Sequence, residues 1–256
     1  MEKLQQAAVG YPTYPAGVPQ KMIETKRYVL RFASTPEELR CVQQLRAKVF
    51  YNDPMGLDED QFDAVFHHLL VLDRESDEVV GTYRMQTAEM AHQHDGFFAS
   101  LEYVLDDFPI AVLNDAVEIG RVCVDEHHRN GRVLHLLWRG LALYLEWNKK
   151  RYLFGCASLF SQDVRLGYAA LDCFKKEGHV HDSIWVHTQP AYTCLYEGSL
   201  AEVACEIPKL LKVYINFGAK ICSPPGLDRE FKTIDFLVLF DLQGLSKRAY
   251  ESFFGG

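Results

Sequence analysis

The sequence offers little that would support a disulfide-bonded, metal-binding or membrane-spanning protein. Its seven cysteines form no C-x-x-C pair and are scattered along the chain, which favours reduced thiols in the cytoplasm. The histidine pairs at 92/94 and 179/181 have no cysteine or acidic partner at metal-site spacing, so we expect no metal. No apolar run approaches the ~20 residues of a membrane span, and the polar first residues show no signal-peptide pattern. We therefore expect a cytoplasmic protein, held at most to a membrane surface.

Charge argues against nucleic acid and for a smaller anionic ligand. The net charge is −8, which disfavours DNA or RNA as a partner. Basic residues nevertheless cluster at Arg129, Arg132 and Arg139. A local basic patch on an acidic protein suits a phosphate-bearing small ligand or an acidic carrier protein. The chain has 256 residues, 48% of them hydrophobic, which is enough for a sizeable core without disulfides.

The stretch 117–147 predicts a strand, a polar turn and a helix in succession. VEIGRVCV at 117–124 is rich in β-branched residues, and apolar residues recur at helical spacing from Val133 onward. Between them, DEHHRNGR at 125–132 is polar and basic. Such a turn directs backbone N–H groups and the positive end of a helix toward a docked anion. Glu118 and Arg121 interrupt an apolar strand, where charged side chains are rarely kept unless paired or used.

The remaining pattern predicts one α/β domain over 25–256 after an irregular arm at 1–24, which is either loose or wrapped on the body. We expect a twisted mixed sheet flanked by helices, and we find no internal repeat or linker. Strands are predicted at 28–33, 68–73, 78–86, 152–158 and 233–240. Helices are predicted from 34–38 to 51, near 98–105, and at 161–176 and 208–217.

This order of elements resembles the GNAT acyltransferase superfamily. The superfamily signature is Gln/Arg-x-x-Gly-x-Gly/Ala, and HRNGRV at 128–133 matches it at Gly131 alone. The resemblance implies that the turn binds the phosphopantetheine of a thioester donor, rather than merely exposing arginines to solvent. The implied donor-binding residues are Arg129, Asn130, Gly131, Arg132 and Val133, with the backbone near Cys123 and Val124 stabilising the oxyanion.

Two groups of motifs narrow the resemblance, which runs over 28–245. Like the acyl-homoserine lactone synthases, the first half has LRAKVF at 45–50, DQFD at 60–63, GTYRMQT at 81–87 and EIGRVCV at 118–124. It departs from them at Gly120, where they have serine, and in the loop 52–56, which lacks their aromatic residue. Like the ornithine-lipid N-acyltransferases, the second half has KLLKVYINFGAK at 209–220, CSPPG at 222–226 and DREFKTIDFLVL at 228–239.

The second resemblance implies an activity. A long, often 3-hydroxylated acyl group passes from acyl carrier protein, or from acyl-CoA, to the α-amine of an amino acid. Ornithine is the commonest acceptor in that branch, and the product is then lyso-ornithine lipid. No bound cofactor is implied. The alternatives are another acceptor such as glycine, a lactone product, a non-catalytic acyl-binding module, and a thiol acyltransferase using Cys123.

Such a reaction needs a base, because an α-amine is mostly protonated at neutral pH. Glu118 is the candidate base, and the alternative is an ion pair of Glu118 with Arg121 or Arg46. Tyr168 is a candidate acid for the leaving thiolate, or it fills the core.

The acceptor would be held by charged residues of the first half. Arg84 and Arg121 are candidates for the acceptor's carboxylate, since a planar guanidinium suits it. Asp60 and Asp63 either receive a cationic side chain or pair with Arg46 and Arg84 in a buried network, and we favour the network.

Two apolar surfaces are expected as well. An acyl groove would be lined by Phe97, Phe98, Leu101, Leu105, Phe154 and Phe160, although each is also a plausible core residue. Contact with the inner membrane surface would come from Lys209, Lys212 and Lys220 beside Leu210, Leu211 and Tyr214.

Overall fold

A computed structural model describes residues 10–198, 200, 203, 207–245 and 250–251 of the chain. Their backbone packs as two compact units. The first unit holds 10–95, 119–150 and 250–251, and the second holds 96–118 and the described part of 151–245.

The strands of the first unit follow one another antiparallel. They are β1 (Ile23–Glu24), β2 (Tyr28–Phe32), β3 (His67–Asp73) and β4 (Glu78–Thr87). Next to β4 lies β5 (Ala116–Val124), which begins in the second unit and enters the first at its fourth residue. The predicted hairpin and the predicted strand through 117–124 are thereby confirmed.

Helices α1 (Pro36–Tyr51), α2 (Ala88–Gln93) and α4 (Arg132–Asn148) belong to the first unit, and α3 (Ile110–Asn114) belongs to the second. The apolar face of α4 is buried against β2, β3 and β4, as its helical periodicity predicts.

Helix α1 shows how local sequence sets the ends of a helix. The Thr35 hydroxyl accepts a hydrogen bond from Glu38 N at 3.3 Å, and Ser34 N donates to Glu38 Oε2 at 2.7 Å. The first contact satisfies an N–H group of the first turn, and the second ties the residue before the cap to the helix. The helix ends where Asn52 turns left-handed at φ 55°. Both ends lie where the sequence predicts them.

The second unit combines parallel and antiparallel pairing. The start of β5 pairs parallel with β6 (Tyr152–Leu159), and β6 pairs antiparallel with β9 (Thr233–Asp241). Strands β7 (Lys220–Ile221) and β8 (Gly226–Asp228) also pair with β9, and α5 (Val164–Lys176) packs on it. The unit also contains α6 (Lys209–Asn216). The predicted mixed sheet with flanking helices is confirmed.

One local prediction needs correction, and one open alternative is decided. The helical piece expected near 98–105 consists of two short 3₁₀ turns, Phe98–Leu101 and Leu105–Asp107. The last two residues of the arm pair with β2, and Tyr11 and Val18 are buried, so the described part of the arm wraps the first unit. Residues 1–9 lie outside the described part. Among the described residues, no helix combines the length and apolar character that a membrane crossing requires.

Two buried histidines on β3 make stability depend on pH. Burial lowers the pKa of His67 to about 4 and that of His68 to about 3. In the unfolded chain both pKa values lie near 6.5. Between pH ~6.5 and ~4 the unfolded chain therefore binds protons that the folded chain does not, and stability is lost as pH falls.

We expect the free energy of unfolding to drop by up to about 1.4 kcal/mol per pH unit for each histidine in this window. Urea unfolding at pH 7, 6 and 5 measures it. His67→Asn should reduce the change in the free energy of unfolding per pH unit by the amount that one histidine contributes. A stability that is unchanged from pH 7 to 5 would contradict the assignment.

Candidate active site

Arg46 is the buried centre of a guanidinium–carboxylate network in the first unit. It lies on the same face of α1 as Val42, Leu45 and Val49, and its side chain is fully buried. Nε donates to Asp58 Oδ2 at 2.6 Å, and the terminal nitrogens donate to Asp63 at 2.8 and 2.9 Å.

Arg84 forms the second part of this network. From strand β4 its Nη1 donates to Asp60 at 2.6 and 2.8 Å and to Asp63 Oδ1 at 2.9 Å. Burial acts to raise the pKa of Asp63, but Arg46 and its neighbours outweigh it and hold the pKa well below its usual value. The favoured pairing of Asp60 and Asp63 with Arg46 and Arg84 is therefore confirmed. Their contact with an acceptor stays a prediction.

Arg121 forms the more accessible edge of the network. Its side chain is 13% exposed, and that of Asp60 is 23% exposed. Arg121 lies 3.3 Å from Asp58 and 3.5 Å from Asp60, which is longer than the contacts of Arg46. Its φ of 49° is left-handed within a strand, and such strain is concentrated at functional sites. Burial and the charge of Arg84 lower the pKa of Arg121, so a further anion beside it would be stabilising.

The basic turn, residues 125–133, joins β5 to α4. Asp125 caps its first part by accepting from His127 N at 2.9 Å. The Tyr28 hydroxyl lies 3.1 Å from His128 Nδ1 and anchors the middle. Asn130 Oδ1 accepts from Arg132 N at 3.0 Å, and Gly131 has a φ of 82°. Arg129, Asn130, Gly131 and Arg132 are exposed, as contact with an anion requires.

The first turn of α4 lies close to the sheet because strand β4 has a glycine there. A Cβ on Gly81 would lie 2.5 Å from Val133 Cγ1, and Val133 is fully buried. A side chain at position 81 would therefore have to displace Val133, the last residue of the basic turn.

We expect Gly81→Ala to lower the free energy of unfolding by about 1–3 kcal/mol through overpacking. Chemical denaturation measures this loss. Gly81→Ala with Val133→Ala removes the clashing methyl group and should recover part of it. Equal stability of Gly81→Ala and the wild type would show that the close approach is not needed.

Glu118 belongs to the second unit and is 3% exposed. Its Oε1 accepts from Ala99 N at 2.6 Å, and its Oε2 accepts from Phe98 N at 2.9 Å. Both carboxylate oxygens are therefore held by backbone N–H groups. These amides at the start of a 3₁₀ turn are partners that the sequence did not indicate. The role of Glu118 as base stays a prediction.

The other predicted residues have more ordinary surroundings. The Tyr168 hydroxyl donates to Cys194 O at 2.6 Å, so its proton is held by a carbonyl. Burial raises the pKa of the Cys123 thiol to about 12, which disfavours the thiolate that a nucleophile needs. Val124 O accepts from Arg129 Nε at 3.1 Å. The oxyanion role of the backbone here and the acid role of Tyr168 stay predictions.

The six predicted acyl-groove residues differ in burial, and two of them, Phe98 and Leu105, are half-buried. Phe97 and Phe154 are buried and meet edge to face at 5.1 Å between ring centroids. Leu101 is 45% exposed and Phe160 is 85% exposed. The two phenylalanines that meet edge to face thus have core packing, whereas the two exposed residues are accessible to a ligand.

Sequence reasoning missed three groups. Asp58 completes the network. A buried partner for Arg46 could have been expected from the sequence, because Arg46 lies on the apolar stripe of α1. Lys48 contacts Asp125. Glu102, Asp228 and Asp235 are each 3% exposed, and their ligand oxygens lie within 4.8 Å of one another, an arrangement that could hold a cation. Of these three acidic residues, only Asp235 could be noticed in the sequence, because it lies inside the apolar run of β9.

Comparison with known proteins identifies a matching family and similar solved structures. Residues 43–139 match the acetyltransferase (GNAT) domain family, and this segment includes both the network and the basic turn. An acyl-CoA N-acyltransferase from Pseudomonas aeruginosa is a similar solved structure. Its TM-score is 0.46 and its identity 14%, with 86% of this chain and 99% of that chain covered.

Curated relatives match most of the chain. An L-ornithine N(alpha)-acyltransferase from Rhodobacter capsulatus is 30% identical over 247 residues, which cover 88% of this chain and 93% of the relative. The enzyme of the same name from Brucella abortus is 29% identical over 249 residues, which cover 88% of each. The chain is an N-acyltransferase of the GNAT fold and belongs to the L-ornithine N(alpha)-acyltransferase family.

Proposed function

We propose that the enzyme transfers a long acyl group from acyl carrier protein to the α-amine of L-ornithine, giving lyso-ornithine lipid. The observation that carries the proposal is that relatives named L-ornithine N(alpha)-acyltransferase align over 88% of this chain. The matched segment includes motifs from both halves.

The donor would bind at the basic turn. Arg129 and Arg132 are exposed beside the N-terminus of α4, where backbone N–H groups and the helix dipole favour an anion. The phosphate of phosphopantetheine is such an anion. An acidic carrier protein also suits a local cluster of positive charge on a chain whose net charge is −8.

The acceptor would bind at the accessible edge of the network. An amino acid carries a carboxylate and an ammonium group, and Arg121 and Asp60 offer one complementary charge each. Arg121 suits the carboxylate because its contacts with Asp58 and Asp60 are the looser ones. Arg84 would support this site indirectly by holding Asp60 and Asp63, to which its guanidinium is already bound.

The reaction would run as a direct acyl transfer. Glu118 takes a proton from the α-ammonium group, directly or through one water. The free amine attacks the thioester carbonyl carbon, a C–N bond forms, and the C–S bond then breaks. The attacking nitrogen loses a second proton to solvent as the amide forms. The thiolate leaves on the phosphopantetheine arm and takes up a proton, for which Tyr168 is the candidate donor. Glu118 then releases its proton to solvent, and Tyr168 takes one up from solvent.

The purified enzyme would be assayed with 3-hydroxyacyl carrier protein and acyl-CoA as donors, and with ornithine, lysine and glycine as acceptors. Mass spectrometry identifies the products. We expect N-acylornithine, formed fastest from the carrier protein. A preference for glycine would reassign the acceptor, equal use of acyl-CoA would remove the carrier protein as the specific donor, and no product from any pair would support a binding module.

The product is an amphiphile, and we propose transient contact with the cytoplasmic face of the membrane. In α6 Lys209 and Lys212 are exposed, whereas Leu211 is buried. Leu211 therefore cannot insert into lipid, contrary to the expectation from the sequence. The contact would be mainly electrostatic. Flotation with anionic vesicles tests it, and a lack of binding at low salt would contradict it.

A further inference from the structure

The basic turn is fixed at its first residue by a lysine from another helix. Asp125 N donates to Val80 O at 2.9 Å, and Asp125 Oδ1 caps His127 N. Lys48 Nζ donates to Asp125 Oδ2 at 2.6 Å. The Asp125 side chain is 7% exposed, whereas that of Lys48 is 43% exposed. A nearly buried carboxylate at the start of the turn thus has a cationic partner.

The charge of this carboxylate matters for an anionic ligand. Asp125 is a negative charge at the start of the turn where the phosphate would bind. Burial acts to raise the pKa of Asp125, but Lys48 and the N–H of His127 outweigh it, so the pKa is lowered and the group stays ionised. Without the lysine, an uncompensated carboxylate would repel the phosphate and would hold the turn through one hydrogen bond fewer.

The helix that carries Lys48 also carries Arg46. Two residues apart on α1, these side chains point in different directions, and Arg46 binds Asp58 and Asp63 while Lys48 binds Asp125. The last turns of α1 are therefore bonded both to the network and to the basic turn. A displacement of the turn is resisted by a helix that is itself anchored by a fully buried arginine.

We infer that Lys48 is a positioning residue for the acyl donor: by neutralising and holding Asp125, it keeps the basic turn competent to bind the donor's phosphate. The inference rests on the proposed function, in which this turn binds phosphopantetheine. It predicts that removing Lys48 weakens the binding of a donor that carries the phosphate, but not of one that lacks it.

The test compares two small donors, acyl-phosphopantetheine and acyl-pantetheine, which differ by the phosphate. For Lys48→Met we expect the KM of the phosphorylated donor to rise about tenfold, the size expected for a charge-assisted hydrogen bond. The KM of the unphosphorylated donor and that of the acceptor should change little. Lys48→Arg should keep most of the wild-type KM, and Asp125→Asn added to Lys48→Met should recover part of it.

Lys176→Met is the matched control. It also removes a lysine that donates to an aspartate at 2.6 Å, but Lys176 and Asp172 are exposed and lie in the second unit. Its donor KM should be unchanged.

The outcomes separate the two proposals. If the wild type does not distinguish the two donors, the proposed phosphate site is wrong. If it does distinguish them but Lys48→Met raises both KM values equally, or neither, the inference about Lys48 is wrong. Circular dichroism of each variant shows whether a loss of fold explains a change.

Discussion

Replacing Arg46 with methionine is expected to lower the free energy of unfolding by about 3–5 kcal/mol. The guanidinium is fully buried and donates to Asp58 and Asp63. Methionine fills much of the same volume but leaves two nearly buried carboxylates without their main counter-charge. That uncompensated charge, rather than lost packing, produces the large effect. Urea unfolding at pH 7 measures it.

Two comparisons isolate the charge effect. Adding Asp63→Asn to Arg46→Met removes one of the carboxylates that lost its main counter-charge. It should recover part of the lost free energy of unfolding. Arg165→Met breaks an exposed ion pair with Asp163 and should leave the unfolding midpoint nearly unchanged. If Arg46→Met were as mild as Arg165→Met, the network would not contribute to stability.

The difference in the free energy of unfolding between the wild type and Arg46→Met should also depend on pH. The network holds the pKa of Asp63 below its ordinary value of 3.8, so it contributes stability above that pH which is lost as pH falls through the folded-state pKa. The difference between the wild type and Arg46→Met should therefore narrow in acid. A constant gap would place the origin of the loss in packing.

Local patterns predicted the regular elements well. The cap of α1, its first proline and the Asn52 that follows it can all be recognised in the sequence, and α4 shows an apolar stripe of helical period. These features depend on neighbours a few residues away. The segment near 98–105 lacks such a period, and its short 3₁₀ turns include the amides held by Glu118, a residue 19 and 20 positions away.

The candidate site could be predicted only in part, because its contacts are long-range. Arg46, Asp60, Asp63 and Arg84 were identifiable as charged residues in apolar or motif segments, and their pairing was one of two alternatives. Which carboxylate each guanidinium binds depends on how α1 and β4 pack around the loop at 52–63. The contact of Lys48 with Asp125 joins residues 77 positions apart, and no local pattern indicates it.

Glu118→Gln is expected to lower kcat by about 10²- to 10⁴-fold, the usual contribution of a general base. Glutamine keeps the size of the side chain but cannot take the amine's proton. The donor KM should stay close to the wild-type value, because the basic turn is unchanged. Single-turnover acyl transfer and direct donor binding measure the two effects separately.

The structure adds a second consequence of this substitution. The two carboxylate oxygens accept from the N–H groups of Phe98 and Ala99, so the NH₂ of a glutamine would face one of these donors. A fall in kcat could then come from a displaced 3₁₀ turn at Phe98–Leu101 rather than from a lost base. Glu118→Gln alone does not separate these causes.

Chemical rescue separates them. In Glu118→Ala, added formate can accept the amine's proton but cannot hold two particular backbone amides in place as an attached carboxylate does. If Glu118 is the base, the rate should rise with formate concentration, and the acidic limb of the wild-type pH–rate profile should be absent without formate. If Glu118 only fixes the turn, formate has no effect. Glu118 would then support the acyl-binding region, and another group would deprotonate the acceptor.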